Sequence, residues 1–233
     1  WGDATGAEQI DIARKMLAYW KYCVAFVKHR HLDPADDFTS ELLAAHTAAP
    51  EDLSYREVVS VVYGLSFAGH EIVSNLLSNG LINLLSTPGH WEEICKDPGL
   101  IPNAVEEVLR YNSPQTSWRR VAVKDTELAG YQIPAGTQIF LSQGSANHDE
   151  TLFDDPGKFD IHRANAGAHI AFGRGIHFCL GNRLDILEAI ITLETPAERM
   201  PSLSLVKGQT FSYFPNFTFW GPKELWLEWS GRA

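Results

Sequence analysis

Apolar residues recur at helical intervals through the first part of the chain. Ile10, Ala13, Leu17, Val24 and Val27 place one helix over residues 7–31, and Asp33-Pro34 ends it. A second, short helix is predicted over 36–46. Ser54 and Glu57 have the spacing of a capping box, in which each side chain satisfies a backbone N–H of the first turn. No proline follows until Pro88, so one helix is predicted over 54–86, ~48 Å long. Its middle, Leu65 to Leu77, is apolar nearly all round, the pattern of a helix running through the centre of its protein. Thr87-Pro88 opens a short helix ended by Asp97-Pro98. Pro102 opens another, carrying Val105, Val108 and Leu109 to Tyr111.

After Pro114 the pattern shortens. Strands are predicted over 118–123, 128–133 and 137–142, with Gly130 and Pro134-Ala135-Gly136 as turn signals. Residues 144–170 are irregular and rich in Asn, Asp, His and Gly, a length that is usually functional or packed in a special way. Leu180, Leu184, Leu187 and Ile191 mark one face of a helix that Pro196 is expected to end. Two apolar runs, 211–219 and 225–229, flank Gly221-Pro222 and predict a terminal hairpin in which Trp226 and Trp229 pack. There are no internal repeats. The fold class expected is mainly α with small β-sheets (α+β), in one domain over 1–233: helical over 1–115, then strands, loops and a late helix over 116–233.

Composition narrows the function classes. The chain has 233 residues, 45% hydrophobic and 21% charged, with a net charge of −10. That mix suits a globular fold and excludes a nucleic-acid binder working through bulk positive charge. No apolar run is long enough to span a bilayer and no basic-then-apolar signal opens the chain, so no membrane association and a cytoplasmic location are expected. The opening Trp1-Gly2-Asp3 lacks a Met and reads like the interior of a longer sequence. Three scattered cysteines form neither a disulfide framework nor a Cys-x-x-Cys zinc pair. Cys23 and Cys95 have no motif around them and read as small buried hydrophobes.

Cys179 differs. It lies in Phe172-Gly-Arg-Gly-Ile-His-Phe-Cys-Leu-Gly181, where Gly173 and Gly175 permit a tight backbone with positive φ and Gly181 begins a helix. A thiolate at a helix N-terminus is stabilised by unpaired N–H groups and the dipole. Such a group could be a nucleophile, a redox thiol or a metal ligand, and spacing does not choose among them.

The same stretch resembles the haem-binding signature of the cytochrome P450 family at Phe172, Gly173, Gly175, His177, Cys179 and Gly181. Three further segments resemble that family in the same order. Glu107-Val-Leu-Arg110 looks like its Glu-x-x-Arg pair, and the segment Asp155-Pro156 through Arg163 looks like the one whose arginine completes that ion-pair network. Ala68-Gly69-His70-Glu71 looks like its oxygen-binding groove. The strand from Trp118 to Ala122 and the loop from Ser145 to Asp149 are similar to its soluble bacterial members. The resemblance implies haem b as cofactor, with Cys179 as the iron ligand. It further implies propionate contacts from His177 and Arg120, with Arg119 the neighbouring candidate, and a structural triad of Glu107, Arg110 and Arg163. The oxygen groove would be Ala68, Gly69, Glu71 and the next position, Ile72.

Two departures accompany the resemblance. Ile72 occupies the place where that family usually carries a threonine that helps deliver protons to dioxygen. This opens a peroxide-using variant beside ordinary monooxygenation. The matching segments run from about Gln9 to Trp229, so the fold expected is that of the family without its N-terminal portion: a C-terminal part or a shortened form. Asp185, where small residues are common, must find a partner or face solvent. The implied function is a haem-thiolate oxidoreductase acting on a small organic substrate, with a ferredoxin-type electron donor or peroxide. Arg174 and Arg183 offer that donor a modest basic patch. The alternatives are a non-catalytic relative that activates a partner enzyme, and an inactive fragment that associates, as in a homodimer, to cover a missing layer.

Overall fold

Helix α1, Gly6–Leu32, starts where Thr5 and Glu8 cap each other: the Thr5 hydroxyl accepts from the Glu8 N–H and the Glu8 carboxylate accepts from the Thr5 N–H at 2.7 Å. The structure is a computed structural model and describes residues 5–231, so the opening Trp1-Gly2-Asp3 lies outside the described residues. Helix α2, Phe38–Ala48, begins two residues later than the sequence suggests. Its cap is Asp37, which accepts the Ser40 N–H at 2.9 Å and also pairs with Arg30. Helix α3, Tyr55–Ser86, opens on the expected box, with the Ser54 N–H donating to Glu57 at 2.7 Å.

The chain divides into two compact units, Trp1–Glu71 and Ile72–Ala233. In the first, α1, α2 and the start of α3 bury Cys23, Val27, Leu43, Val58 and Val59, with Tyr19, Trp20 and Tyr63 packed around them. The apolar middle of α3 does not lie in that core. Leu65 and Phe67 are 39% and 55% exposed, and residues 64–70 face solvent. An apolar surface on every side of a helix states what it would bury, not whether this chain supplies the neighbours.

The second unit is built around helix α5, Ile101–Tyr111, with Pro102 in its first turn. Ile101, Ala104, Val105, Val108 and Leu109 pack against Leu76 and Leu84 of α3, Trp91 and Ile94 of α4 (His90–Lys96), and Ala189, Leu193 and Ala197 of α7 (Asn182–Arg199). Gly80 of α3 lies where a Cβ would come within 3.6 Å of Val108. Helix α7 corrects the expectation that Pro196 ends it. Its buried face carries Ala189, Leu193 and Ala197, while Leu180, Leu184, Leu187 and Ile191 are exposed. Both faces carry large apolar residues, so periodicity alone could not choose. Pro196 sits inside the helix, which continues to Arg199. The carbonyl deprived of its partner belongs to Thr192, an exposed residue where water can replace the lost donor.

Strand β1, Ser117–Val121, pairs antiparallel with β4, Gln138–Ser142, placing Arg120 opposite Ile139. The expected strand over 128–133 is instead a hairpin of β2 (Thr126–Leu128) and β3 (Tyr131–Ile133). It turns at Ala129 and Gly130, both with positive φ, as a two-residue primed turn requires. A one-turn helix, α6, spans Gln143–Ala146. The expected terminal hairpin is also corrected. Strand β6, Leu227–Glu228, pairs with β5, Ser204–Leu205, and Phe219 bridges to Gln115. Trp226 and Trp229 remain exposed. The class is mainly helical with small sheets. Among the described residues no helix is long and apolar enough to cross a membrane.

Candidate functional site

Glu107 and Arg110 lie three residues apart on the inward face of α5, and both are fully buried. Arg110 clasps Glu107 through two hydrogen bonds of 2.7 Å and donates further to the carbonyls of Asn147, Pro156 and Lys158. Arg163 brings its Nε to Glu107 at 3.2 Å and reaches the carbonyls of Asp154, Asp155 and Lys158. The Asp160 N–H donates to the same carboxylate. All three residues of the anticipated triad thus meet at one carboxylate, and their remaining donors bind the irregular segment that leads to the cysteine loop. A buried ion pair is tolerable only when its spare donors are satisfied like this.

In the cysteine loop Gly173 and Gly175 adopt φ of 72° and 78°, a region where a Cβ is strained. A short 3-10 turn follows over Gly175–His177, and the Cys179 N–H donates back to the Phe172 carbonyl at 3.0 Å. Gly181 caps α7, and a Cβ there would lie 3.9 Å from the Cys179 sulfur and 3.4 Å from Asp185. The Asn182 side chain donates to the Cys179 carbonyl at 2.6 Å.

The expected stabilisation of a thiolate is reversed in sign. Burial pushes the Cys179 thiol up, and Asp185 adds to the rise; the N–H groups of Gly181 and Asn182 pull it down without prevailing. Asp185 is half-buried, its own carboxyl pushed up by burial and then by Glu188. The helix terminus favours negative charge as expected, but desolvation costs more.

Beside the loop is a cavity of about 420 Å³ lined by Trp118, Arg120, Phe172, Gly173, Arg174 and His177. Arg120 reaches it from β1, exposed and with one N–H on the Arg119 carbonyl; His177 and Arg174 are also exposed. Ala68 and Gly69 are exposed on α3 within the first unit, where Glu71 is half-buried. Ile72, half-buried, begins the second unit.

Sequence reasoning missed the polar residues that tie this region together. Buried Asn147 accepts the Ile170 N–H at 2.8 Å and donates to Ser113. Buried Gln143 donates to the Ile170 carbonyl at 3.0 Å. Asn79 of α3 donates to the carbonyls of Asn112 and Trp220. Gly221 approaches α3 so closely that a Cβ would fall 2.1 Å from the Asn75 Oδ1. A polar residue inside an apolar helical run, as Asn79 is, was the available signal.

The family model described as Cytochrome P450 matches residues 99–196. A putative cytochrome P450, YjiB of Bacillus subtilis, is 40% identical over 199 residues, covering 85% of this chain and 49% of its own length. The 6-deoxyerythronolide B hydroxylase of Saccharopolyspora erythraea is 36% identical over 203 residues, covering 87% of this chain and 50% of its own. The solved structure of cytochrome P450 CREJ in complex with (4-ethylphenyl) dihydrogen phosphate aligns with a TM-score of 0.93 and 41% identity, over 99% of this chain and 57% of that one. The chain spans about half the length of the curated relatives it matches.

Proposed function

Because the chain belongs to the cytochrome P450 family, we propose that it serves a haem-thiolate monooxygenase oxidising a small organic substrate, with Cys179 as the iron ligand. One observation carries this reading: a half-buried cysteine on a glycine-shaped loop at the start of α7, beside a cavity bearing Arg120 and His177. The residues present fit haem b. Burial that raises the Cys179 thiol disfavours a free nucleophile or redox thiol, which needs a depressed pKa. A cation that displaces the proton would hold the sulfur as thiolate, since a coordinating thiol is deprotonated outright. Arg120 and His177 would hold the two carboxylates, and Gly173 keeps the loop free of a Cβ at the cavity wall.

When bound, the group supplies oxygen activation, with the thiolate favouring O–O cleavage. This chain's residues bind, orient and handle protons around it. Ile72 has no hydroxyl to hold a proton or order a water. Ile72 also favours peroxide, which supplies oxygen and electrons together, over a ferredoxin-type donor docking near Arg174 and Arg183. Location in the cytoplasm belongs to the same proposal.

The test is spectroscopic. The chain is supplied with haem, reduced and exposed to carbon monoxide, and a red-shifted Soret band marks the thiolate-ligated adduct. Cys179→Ser should abolish that band while leaving the far-ultraviolet circular dichroism intact. A band typical of neutral ligands in the unaltered chain overturns the assignment.

A further inference from the structure

Glu106 sits beside Glu107 on α5, yet its carboxylate serves a separate set of contacts. Its Oε2 lies 2.9 Å from the Nε2 of His169, whose side chain is only 5% exposed. The other ring nitrogen has a fixed role: the Ala171 N–H donates to Nδ1 at 3.1 Å. Since Nδ1 accepts, the ring proton is on Nε2 and donates to Glu106. The backbone here runs close to the carboxylate, because a Cβ on Gly167 would lie 3.6 Å from the Glu106 Oε2.

From His169 the contacts lead directly to the cysteine. The ring centroids of His169 and Phe172 are 5.9 Å apart, and those of Phe172 and Phe178 are 6.4 Å apart. The Phe172 carbonyl accepts the Cys179 N–H. Between them, Ile170 is held on both its polar groups by Asn147 and Gln143. The Glu107 network holds the segment around 154–163 and touches Ile170 only by way of Arg110 and Asn147, so the Glu106 contact is a second and more direct anchor from α5 to the incoming arm of the loop.

We infer that Glu106 and His169 form a positioning pair that sets the Phe172 carbonyl, and through it the exposure and orientation of Cys179. Neither residue touches the reacting atoms. The inference rests on the proposed role of Cys179 for its importance but not for its test.

The experiment uses the haem-free chain at one fixed pH, well below its unfolding temperature. Alkylation of Cys179 by iodoacetamide is followed by mass spectrometry of its peptide, with half-buried Cys95 as internal reference. His169→Phe keeps a ring against Phe172 but removes both hydrogen bonds, and Glu106→Ala removes one. Each should raise the Cys179 rate about three- to tenfold relative to Cys95, the factor expected when one hydrogen bond ceases to hold a loop closed. Glu106→Gln, whose amide oxygen still accepts from Nε2–H, should stay within about twofold of the unaltered chain. In the haem-supplied protein the first two variants should raise the share of the carbonyl adduct lacking the thiolate band, and Glu106→Gln should not. Cys179 rates unchanged in His169→Phe and Glu106→Ala, Cys95 rising in step with Cys179, or Glu106→Gln behaving like Glu106→Ala each overturn the pair. Failure of the unaltered chain to give a thiolate band overturns the proposed function and leaves the alkylation result to decide the pair.

Discussion

Replacing Arg110 by alanine removes the hub of the buried network, and the structure sets the size of the effect. Five hydrogen bonds disappear: two to Glu107 and one each to the carbonyls of Asn147, Pro156 and Lys158. Glu107 keeps the Arg163 Nε and the Asp160 N–H, and the Lys158 carbonyl keeps an Arg163 donor. The Asn147 and Pro156 carbonyls lose the guanidinium. Removing one partner of a buried ion pair costs about 3–5 kcal/mol. The surviving Arg163 contact argues for the middle of that range, so Arg110→Ala should lose about 4 kcal/mol against a total stability of about 5–15 kcal/mol. Arg110→Lys keeps the charge but not the two-pronged grip, and should lose about half as much. Because Glu107 and Arg110 share one penalty, Glu107→Ala/Arg110→Ala should cost about 1–3 kcal/mol less than the sum of the single variants. Urea midpoints read by tryptophan fluorescence and circular dichroism measure all four. A loss under about 1 kcal/mol for Arg110→Ala, or strict additivity in the double variant, would refute the reasoning.

Further expectations concern sites outside that network. Gly221→Ala places a methyl group 2.1 Å from the Asn75 Oδ1 and 2.8 Å from its Cβ, so a loss of about 1–3 kcal/mol is expected, relieved by Asn75→Gly; a thermal-shift comparison decides. Burial holds His90 below the ordinary imidazole range against the pull of Glu93 and Asp160, with His162 and Lys158 adding to the lowering. The unfolded chain therefore binds that proton more readily, so stability is full above about pH 6.5 and declines as pH falls through the folded pKa. His90→Phe should flatten the decline, and an unchanged slope in urea midpoint against pH would count against it. For Asp185, raised by burial, the sign is opposite: stability is present below the ordinary carboxyl range and lost as pH rises through the folded pKa. Asp185→Asn should gain about 0.5–1 kcal/mol at neutral pH, with the gain gone below about pH 3.9. Ile72→Thr should raise product formed per electron consumed from dioxygen and a reductant, and equal coupling in the two proteins would remove Ile72 from the account of oxidant choice.

The sequence was most legible where the physics is local. Ser54 with Glu57 marks the start of α3, and prolines near residues 88 and 102 mark the starts of α4 and α5, because caps and φ restrictions act within one turn. Gly173 and Gly175 announced their positive φ for the same reason. Pairings across longer separations left weaker traces. Strands β5 and β6 are two residues each, too short for an alternating pattern, and what pairs them is proximity in the folded chain. The carbonyls that satisfy Arg110 and Arg163 carry no residue-type signal at all, since a backbone acceptor is chosen by position. Glu106 was overshadowed by its neighbour: both are glutamates on α5, and only the fold shows that one faces arginines and the other a histidine.

Cys179 shows why a local motif was easier to read than the electrostatics of its sulfur. Its motif consists of glycines and a helix start, all local, and those features stabilise negative charge on sulfur. The balance is set by what surrounds the sulfur in three dimensions, and there burial outweighs the Gly181 and Asn182 N–H groups while Asp185 adds to the burial. A thiol in that balance holds its proton more tightly than an ordinary one, the opposite of what the local motif alone implies. The same reasoning applies to the exposed leucines of α7 and the exposed middle of α3. Periodicity correctly marks them as surfaces suited to burial, but only neighbours in space decide whether they are buried, and this chain places its own core on the opposite side of α7.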